Sequence, residues 1–259
     1  MDRRDFLKKS VFLALAGVAA PELLHSQSQQ RLPLRGKKIC IDAGHGLFTK
    51  ALGRKKERIA PNSTEVKPAF VSGIEGVATK ISEGELNLKV ALKLKKKLID
   101  LGATVIMTRE TATTNMSNID RAELANKNNV DLTIRIHANG SMYPEDHGAL
   151  LVLPSGKYIT DKEMLKNSEM AGGFIFLNVL KETRAKSWGS QYRSDMTGFN
   201  WSKRPVIILE MGFMSNPEED KLLNTRSYQD KIVNGISNGL LEYIKQKDLN
   251  KSNEIPKAK

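Results

Sequence analysis

From residue 37 to residue 108 the chain passes from an apolar run, KKICIDAGHG, through a polar stretch into SEGELNLKVALKLKKKLIDLG, and then into ATVIMT. The middle segment puts Leu86, Val90, Leu94 and Leu98 on one face with lysines opposite. That spacing predicts an amphipathic helix over Ser82–Leu101, closed by Gly102. The apolar flanks, Lys38–Asp42 and Ala103–Thr108, read as strands. A strand, a crossover helix and a second strand form the unit from which parallel sheets are built, and it leaves few alternatives for the rest of the fold. Further on, strands are predicted over Asp131–Ile136, Gly148–Leu153 and Pro205–Glu210. Helices are predicted over Asn118–Asn128, Lys162–Lys186 and Tyr228–Lys247. The expected fold is α/β, a single-domain three-layer sandwich with a mostly parallel central sheet flanked by helices. With 259 residues, 40% of them hydrophobic, the chain can fill one such core.

The ends of the chain read differently. MDRRDFLKKSVFLALAGVAAPELLHS has a basic front, an apolar run over Val11–Ala20 and a break at Pro21. Ten apolar residues are too few for a mature membrane-spanning helix but suit a signal peptide. Arg3-Arg4-Asp5-Phe6-Leu7-Lys8 matches the twin-arginine export pattern. Residues 1–28 are therefore expected to direct export to the periplasm or cell wall and to leave no stable membrane anchor after processing. A linker is expected over 29–36, the catalytic domain over 37–247, and a polar, frayed tail over 248–259. The net charge of +12 favours an anionic partner. No RNA-binding sheet motif, paired-cysteine finger or basic zipper is present, so nucleic acid is the weaker choice. Cys40 is the only cysteine, which leaves no intrachain disulfide.

Open α/β sheets bind ligands at the carboxyl ends of their strands. The predicted strands deliver His45, Arg109, His137 with Asn139, and Glu210 to those ends. Only four histidines occur in the chain, so two at strand ends carry weight. Two imidazoles and one carboxylate can hold a catalytic Zn²⁺ with a position left for water. The candidate carboxylates are Asp42, Glu83, Glu85 and Glu210. Ser82 and Glu85 have the spacing of a capping box, which gives Glu85 a structural task and leaves Glu83 free in the first turn. Asp42 is placed to brace an imidazole from behind. His147 is a rival third ligand, but it precedes a strand and is expected at the opposite edge. Residues 48–81 form a polar insertion directly after His45, and loops of that length are usually functional.

In order, KICIDAGHG, EGELNLKVALKLKKKL, VIMTRE with NIDRAELAN, DLTIRIHANG and PVIILEMGFMSNPEED make the chain resemble the zinc-dependent N-acetylmuramoyl-L-alanine amidases of the amidase-3 type, a cell-wall hydrolase and autolysin family. The resemblance runs from Lys37 to about Lys245. It implies that His45, Glu83 and His137 hold one Zn²⁺ and that Glu210 is the catalytic acid and base. It further implies that peptidoglycan is the substrate, cut between muramic acid and L-alanine. A zinc peptidase acting within the stem peptide and a non-catalytic wall-binding homologue are the alternatives. Leu47 and Arg135 depart from the family pattern, where a glycine and a serine are common. Asn139 or Arg135 is expected as a second donor to the oxyanion, and Asn200 as a contact in the peptide groove. Targeting falls to the basic surface, which suits anionic wall polymers, or to a protein partner that activates the enzyme.

Overall fold

The computed structural model describes residues 32–254, so the expected signal segment, the start of the linker and the last five residues lie outside the described residues. In chain order the elements are β1 (Lys38–Ala43), α1 (Lys50–Gly53), β2 (Lys56–Arg58), β3 (Val66–Pro68), α2 (Glu83–Asp100), β4 (Thr104–Met107), α3 (Asn118–Lys127) and β5 (Leu132–Asn139). They continue with β6 (Ala149–Pro154), α4 (Lys162–Thr183), β7 (Ser187–Arg193), α5 (Thr197–Asn200), β8 (Val206–Phe213), α6 (Pro217–Leu223) and α7 (Arg226–Glu254). Six strands form one sheet in the order β4-β1-β5-β8-β6-β7. The first four are mutually parallel, β6 runs antiparallel to β8, and β7 is parallel to β6. The architecture is the expected three-layer α/β sandwich.

Alternation along the strands assigns the two faces. Ile39, Ile41, Ile134, Ile136, Ile207 and Leu209 belong to the large core packed by α2, α4 and α7. Their neighbours Cys40, Val206 and Ile208 point the other way, into smaller clusters with Ala125 of α3 and Phe199 of α5. Thr133, Arg135 and His137 share that second face, and the functional side chains are found there. The first face of β1, β5 and β8 is apolar, whereas the second is polar along β5 and at Asp42 and Glu210.

The long helix α2 forms as its pattern predicts. Leu86, Val90, Leu94 and Leu98 are fully buried, and the Ser82 side chain caps the first turn by accepting from the Glu85 amide. Only half of the expected capping box is present, because the Glu85 carboxylate instead pairs with Lys89 at 2.7 Å. Gly102 ends the helix at φ +96°, a left-handed position that favours glycine.

Several expectations need correction. The central strands extend past the predicted ends, so His137 and Glu210 lie within the pleat, side by side, and not at its termini. A β-bulge between His137 and Asn139 follows immediately. The exposed strand β7 and helix α6 were not predicted. Helix α7 continues to Glu254, into the segment expected to be a frayed tail, where Asp248 pairs with Lys37 at 3.1 Å. Leu34, within the expected linker, is fully buried, and its amide donates to the Leu101 carbonyl. The insertion is also more structured than a loop: it holds α1, the β2–β3 hairpin and a strap over residues 70–81.

Candidate metal centre

The turn after β1 explains the two glycines around His45. His45 has φ +58°, a left-handed conformation that costs a non-glycine residue on the order of 1–3 kcal/mol. Buried arginines compensate by holding the carbonyls of that turn. Arg109 donates to Ala43 O, Gly44 O and Gly84 O at 2.6–2.9 Å. Arg121 donates to Ala43 O and His45 O at 2.9 and 2.8 Å. Gly44 is required for another reason: a methyl there would come within 2.4 Å of the His137 ring. The sequence places Arg109 at a strand end near the site, but the work of both arginines on backbone carbonyls is visible only in three dimensions.

His45, Glu83 and His137 converge from the first turn, the start of α2 and the middle of β5, with ligand atoms within 4.8 Å of one another. His45 Nδ1 donates to Val71 O at 2.7 Å, which commits that nitrogen and leaves Nε2 facing Glu83 Oε2 at 3.1 Å. His137 Nδ1 lies 3.1 Å from Glu83 Oε1, while its buried Nε2 has no partner among the described residues. The two rings stand nearly perpendicular, with centroids 4.8 Å apart. Glu83 Oε1 also accepts from the Ala138 amide and the Asn87 side chain, and Oε2 from the Ile74 amide. Burial works to raise the Glu83 carboxyl, yet the bonds to His137 and His45 outweigh it and hold it well below the usual range. Burial lowers the His137 imidazole. Near neutral pH the set is therefore an anionic carboxylate with a neutral imidazole at His137, the forms a divalent cation requires. The donor set, its charge state and the unpartnered His137 nitrogen all fit a metal ion.

Glu210 adjoins His137 across the β5–β8 pairing. Its Oε2 is buried without a partner among the described residues. Burial and then the Glu83 carboxylate push its pKa up to about 8, against smaller opposing effects of Arg135 and Arg193.

Two clefts meet at this point. One, of about 370 Å³, is lined by Phe48, Phe70, Met116, Arg135, Gly198 and Ile208 among others; the second, of about 520 Å³, by Gly73–Glu75, Val77 and Asn139–Met142 among others. His45, Val71, His137 and Glu210 line both. The site is therefore open on two sides, as a substrate extending in both directions needs.

The other expected residues fall as follows. Asp42 does not brace an imidazole. It is almost wholly buried, receives Thr108 Oγ1 at 2.7 Å, and pairs with Arg121 at 2.5 Å and Arg135 at 2.6 Å. Burial would raise its pKa, but the two guanidiniums hold it far below the carboxylate range. Arg135 lies in the first cleft and Asn139 in the second, where the Asn139 side chain accepts from the Gly140 amide. Asn200 lines neither cleft; it is buried and donates to Ile59 O and Ser194 O, tying the insertion to α5. His147 is exposed and outside the cluster, but it is at the same sheet edge as the site, because β6 runs antiparallel to β8. Leu47 is also exposed, and its backbone forms a parallel bridge to Thr113.

Sequence reasoning missed how the insertion serves the metal ligands. Beyond Val71 O on His45, the Ile74 carbonyl accepts from the Glu83 amide at 2.8 Å. The strap is anchored at its far end by the fully buried Asp220, which accepts from the amides of Ala78 and Thr79.

Comparison with known proteins agrees with this geometry. The family model described as Amidase_3, N-acetylmuramoyl-L-alanine amidase, matches residues 39–242. The chain is 28% identical to the germination-specific N-acetylmuramoyl-L-alanine amidase of Bacillus subtilis, over 83% of each chain. It is 25% identical to the N-acetylmuramoyl-L-alanine amidase AmiA of Escherichia coli, covering 93% of this chain and 91% of that one. Its fold matches the crystal structure of the N-acetylmuramyl-L-alanine amidase Ami1 from Mycobacterium smegmatis with a TM-score of 0.74 at 20% identity, over 82% and 99% of the two chains. With its metal-competent His45–Glu83–His137 cluster, the chain belongs to the Amidase_3 family of N-acetylmuramoyl-L-alanine amidases, enzymes that act on peptidoglycan outside the cytoplasm.

Proposed function

We propose that His45, Glu83 and His137 hold a single Zn²⁺ and that Glu210 carries the proton in hydrolysis of the bond between N-acetylmuramic acid and L-alanine. A zinc ion supplies a Lewis acid for the amide carbonyl and makes water acidic enough to attack near neutral pH. Glu210 takes the proton of the attacking water and returns it to the departing alanine nitrogen. A single carboxylate beside His137 can serve both steps, accepting the proton and then giving it back. The observation that carries this reading is the half-buried Glu210 set beside His137, with its Oε2 buried and without a partner among the described residues. Asn139 is on the second cleft, and its free amide donors make it the remaining candidate for an oxyanion contact.

Digestion of purified peptidoglycan tests the reading. Released stems should begin with intact L-alanine by mass spectrometry, and a zinc chelator should stop their release. A cut inside the stem would favour a peptidase, and no release at all would favour a wall-binding role. Residues 1–28 are proposed to export the chain by the twin-arginine route, ahead of a folded part that already includes Leu34. Replacing Arg3 and Arg4 with lysine should keep the protein in the cytoplasm on fractionation. The +12 charge supports contact with anionic wall polymers once outside, which added salt should weaken in wall-binding assays.

A further inference from the structure

We infer that Arg135 sets substrate specificity by binding, through the Nη1 edge of its guanidinium, a carboxylate on the stem peptide close to the scissile amide. The inference rests on the amidase reading above.

Arg135 is 7% exposed, at the floor of the cleft that also contains His137 and Glu210. Its Nε is committed to Asp42 at 2.6 Å, and Nη2 reaches Asn118 Oδ1 at 3.4 Å. Nη1 makes no hydrogen bond among the described residues. It faces Gly198 on the cleft wall, where a methyl would come within 2.3 Å of it.

Asp42 is one carboxylate shared between Arg121 and Arg135. Arg121 spends its other donors on carbonyls and on Thr114. Lys67, also on the cleft, is bound to Asp195 at 3.4 Å. Of the two described guanidiniums that line the cleft, Arg121 and Arg135, the open donor is therefore on Arg135. A buried cation with an unused donor is a site for an anion, and guanidinium suits carboxylate.

The spacing selects which anion. Arg135 and His137 are two residues apart on one face of β5, roughly 6–7 Å. A peptide advances at most about 3.6 Å per residue, so a group held by Arg135 lies about two residues from the reacting centre. In stems whose second residue is joined through its side-chain carboxyl, the α-carboxyl is left at about that distance. It occurs either as the acid or capped as the amide, and only the acid offers a charge.

The test uses the zinc-loaded chain and two synthetic muramoyl peptides identical except for acid or amide at the second residue. The acid should be preferred by about tenfold or more in kcat/KM, chiefly through KM. Arg135→Gln should bring the ratio close to one, and Arg135→Lys should give an intermediate value. Gly198→Ala, which crowds Nη1 and leaves Asp42 untouched, should also lower the ratio, and it covers the case in which the Arg135 variants do not fold. Equal rates on both substrates with the wild-type chain would overturn the inference, as would an unchanged ratio in the Gly198→Ala variant. Failure to cut either peptide would instead count against the amidase reading itself.

Discussion

Two successive rows of the central sheet carry charge on the same face and handle it in opposite ways. In one row, Asp42 of β1 lies beside Arg135 of β5, and Arg121 reaches in from α3 to complete a buried cluster. In the next, His137 lies beside Glu210, and the β1 side is vacated by Gly44. The first row satisfies its carboxylate with two guanidiniums and a hydroxyl. The second leaves Glu210 without a partner among the described residues and contributes His137 to the three metal-competent groups. The same strands thus hold a row closed for stability next to a row left open for chemistry, and the closed row fixes the turn on which His45 depends.

Breaking the open row should have the largest effect. Glu210→Gln should cut turnover by about 10²–10⁴-fold while keeping one metal per chain by elemental analysis. Loss of metal together with activity would make Glu210 a ligand. Breaking the closed row should chiefly cost stability. Asp42→Asn leaves two buried guanidiniums without their anion and should cost about 3–5 kcal/mol in denaturant unfolding; a loss below 1 kcal/mol would show that the cluster is not closed as described.

The strap provides a subtler probe. Gly73 has φ +79°, and a methyl there would come within 2.5 Å of Glu83 Oε2 and 2.9 Å of His45 Cδ2. Gly73→Ala should weaken metal affinity by about 10–100-fold in competition titrations, with global unfolding changed far less. Unaltered affinity would mean that the strap does not bear on the ligands.

The smallest effect should be in pH dependence, where the two rows have opposite signs. Asp42 has a folded pKa depressed below its unfolded value, so its contribution is present above the ordinary carboxylate range and is lost as pH falls. Glu210 has a folded pKa raised to about 8, so its contribution is full below the ordinary glutamate pKa and is lost as pH rises through about 8. Stability of the metal-free protein against pH, compared with that of Glu210→Gln, should show the alkaline decline flattened in the variant and the acid limb unchanged.

The sequence revealed the open row more readily than the closed one. His45, His137 and Glu210 stand out as polar groups at the ends of apolar runs, Glu83 as a first-turn carboxylate with no capping task, and their order resembles a family. Asp42 was misjudged because its partners, Arg121 and Arg135, lie 79 and 93 residues away, and only the sheet brings them together. SWGSQYR carries no burial signal because β7 is exposed along nearly its whole length, so its pairing with β6 decides its conformation. His147 was sent to the wrong edge by assuming that β6 continued the parallel pattern. Helix α7 outran its predicted end because the lysine-rich segment remains helical as a solvated face.

The hold of the strap on His45 comes from a backbone oxygen, that of Val71, and its hold on Glu83 from backbone groups of Ile74. Main-chain atoms are common to every residue type, so, apart from Gly73, whose missing side chain makes room for Glu83 and His45, the strap holds the ligands without calling on its side chains. Val71, Ile74 and Val77 are exposed along the clefts, where a glycopeptide would lie. The segment can therefore change its outward residues, and with them its taste in cell walls, while the cation keeps the same cradle.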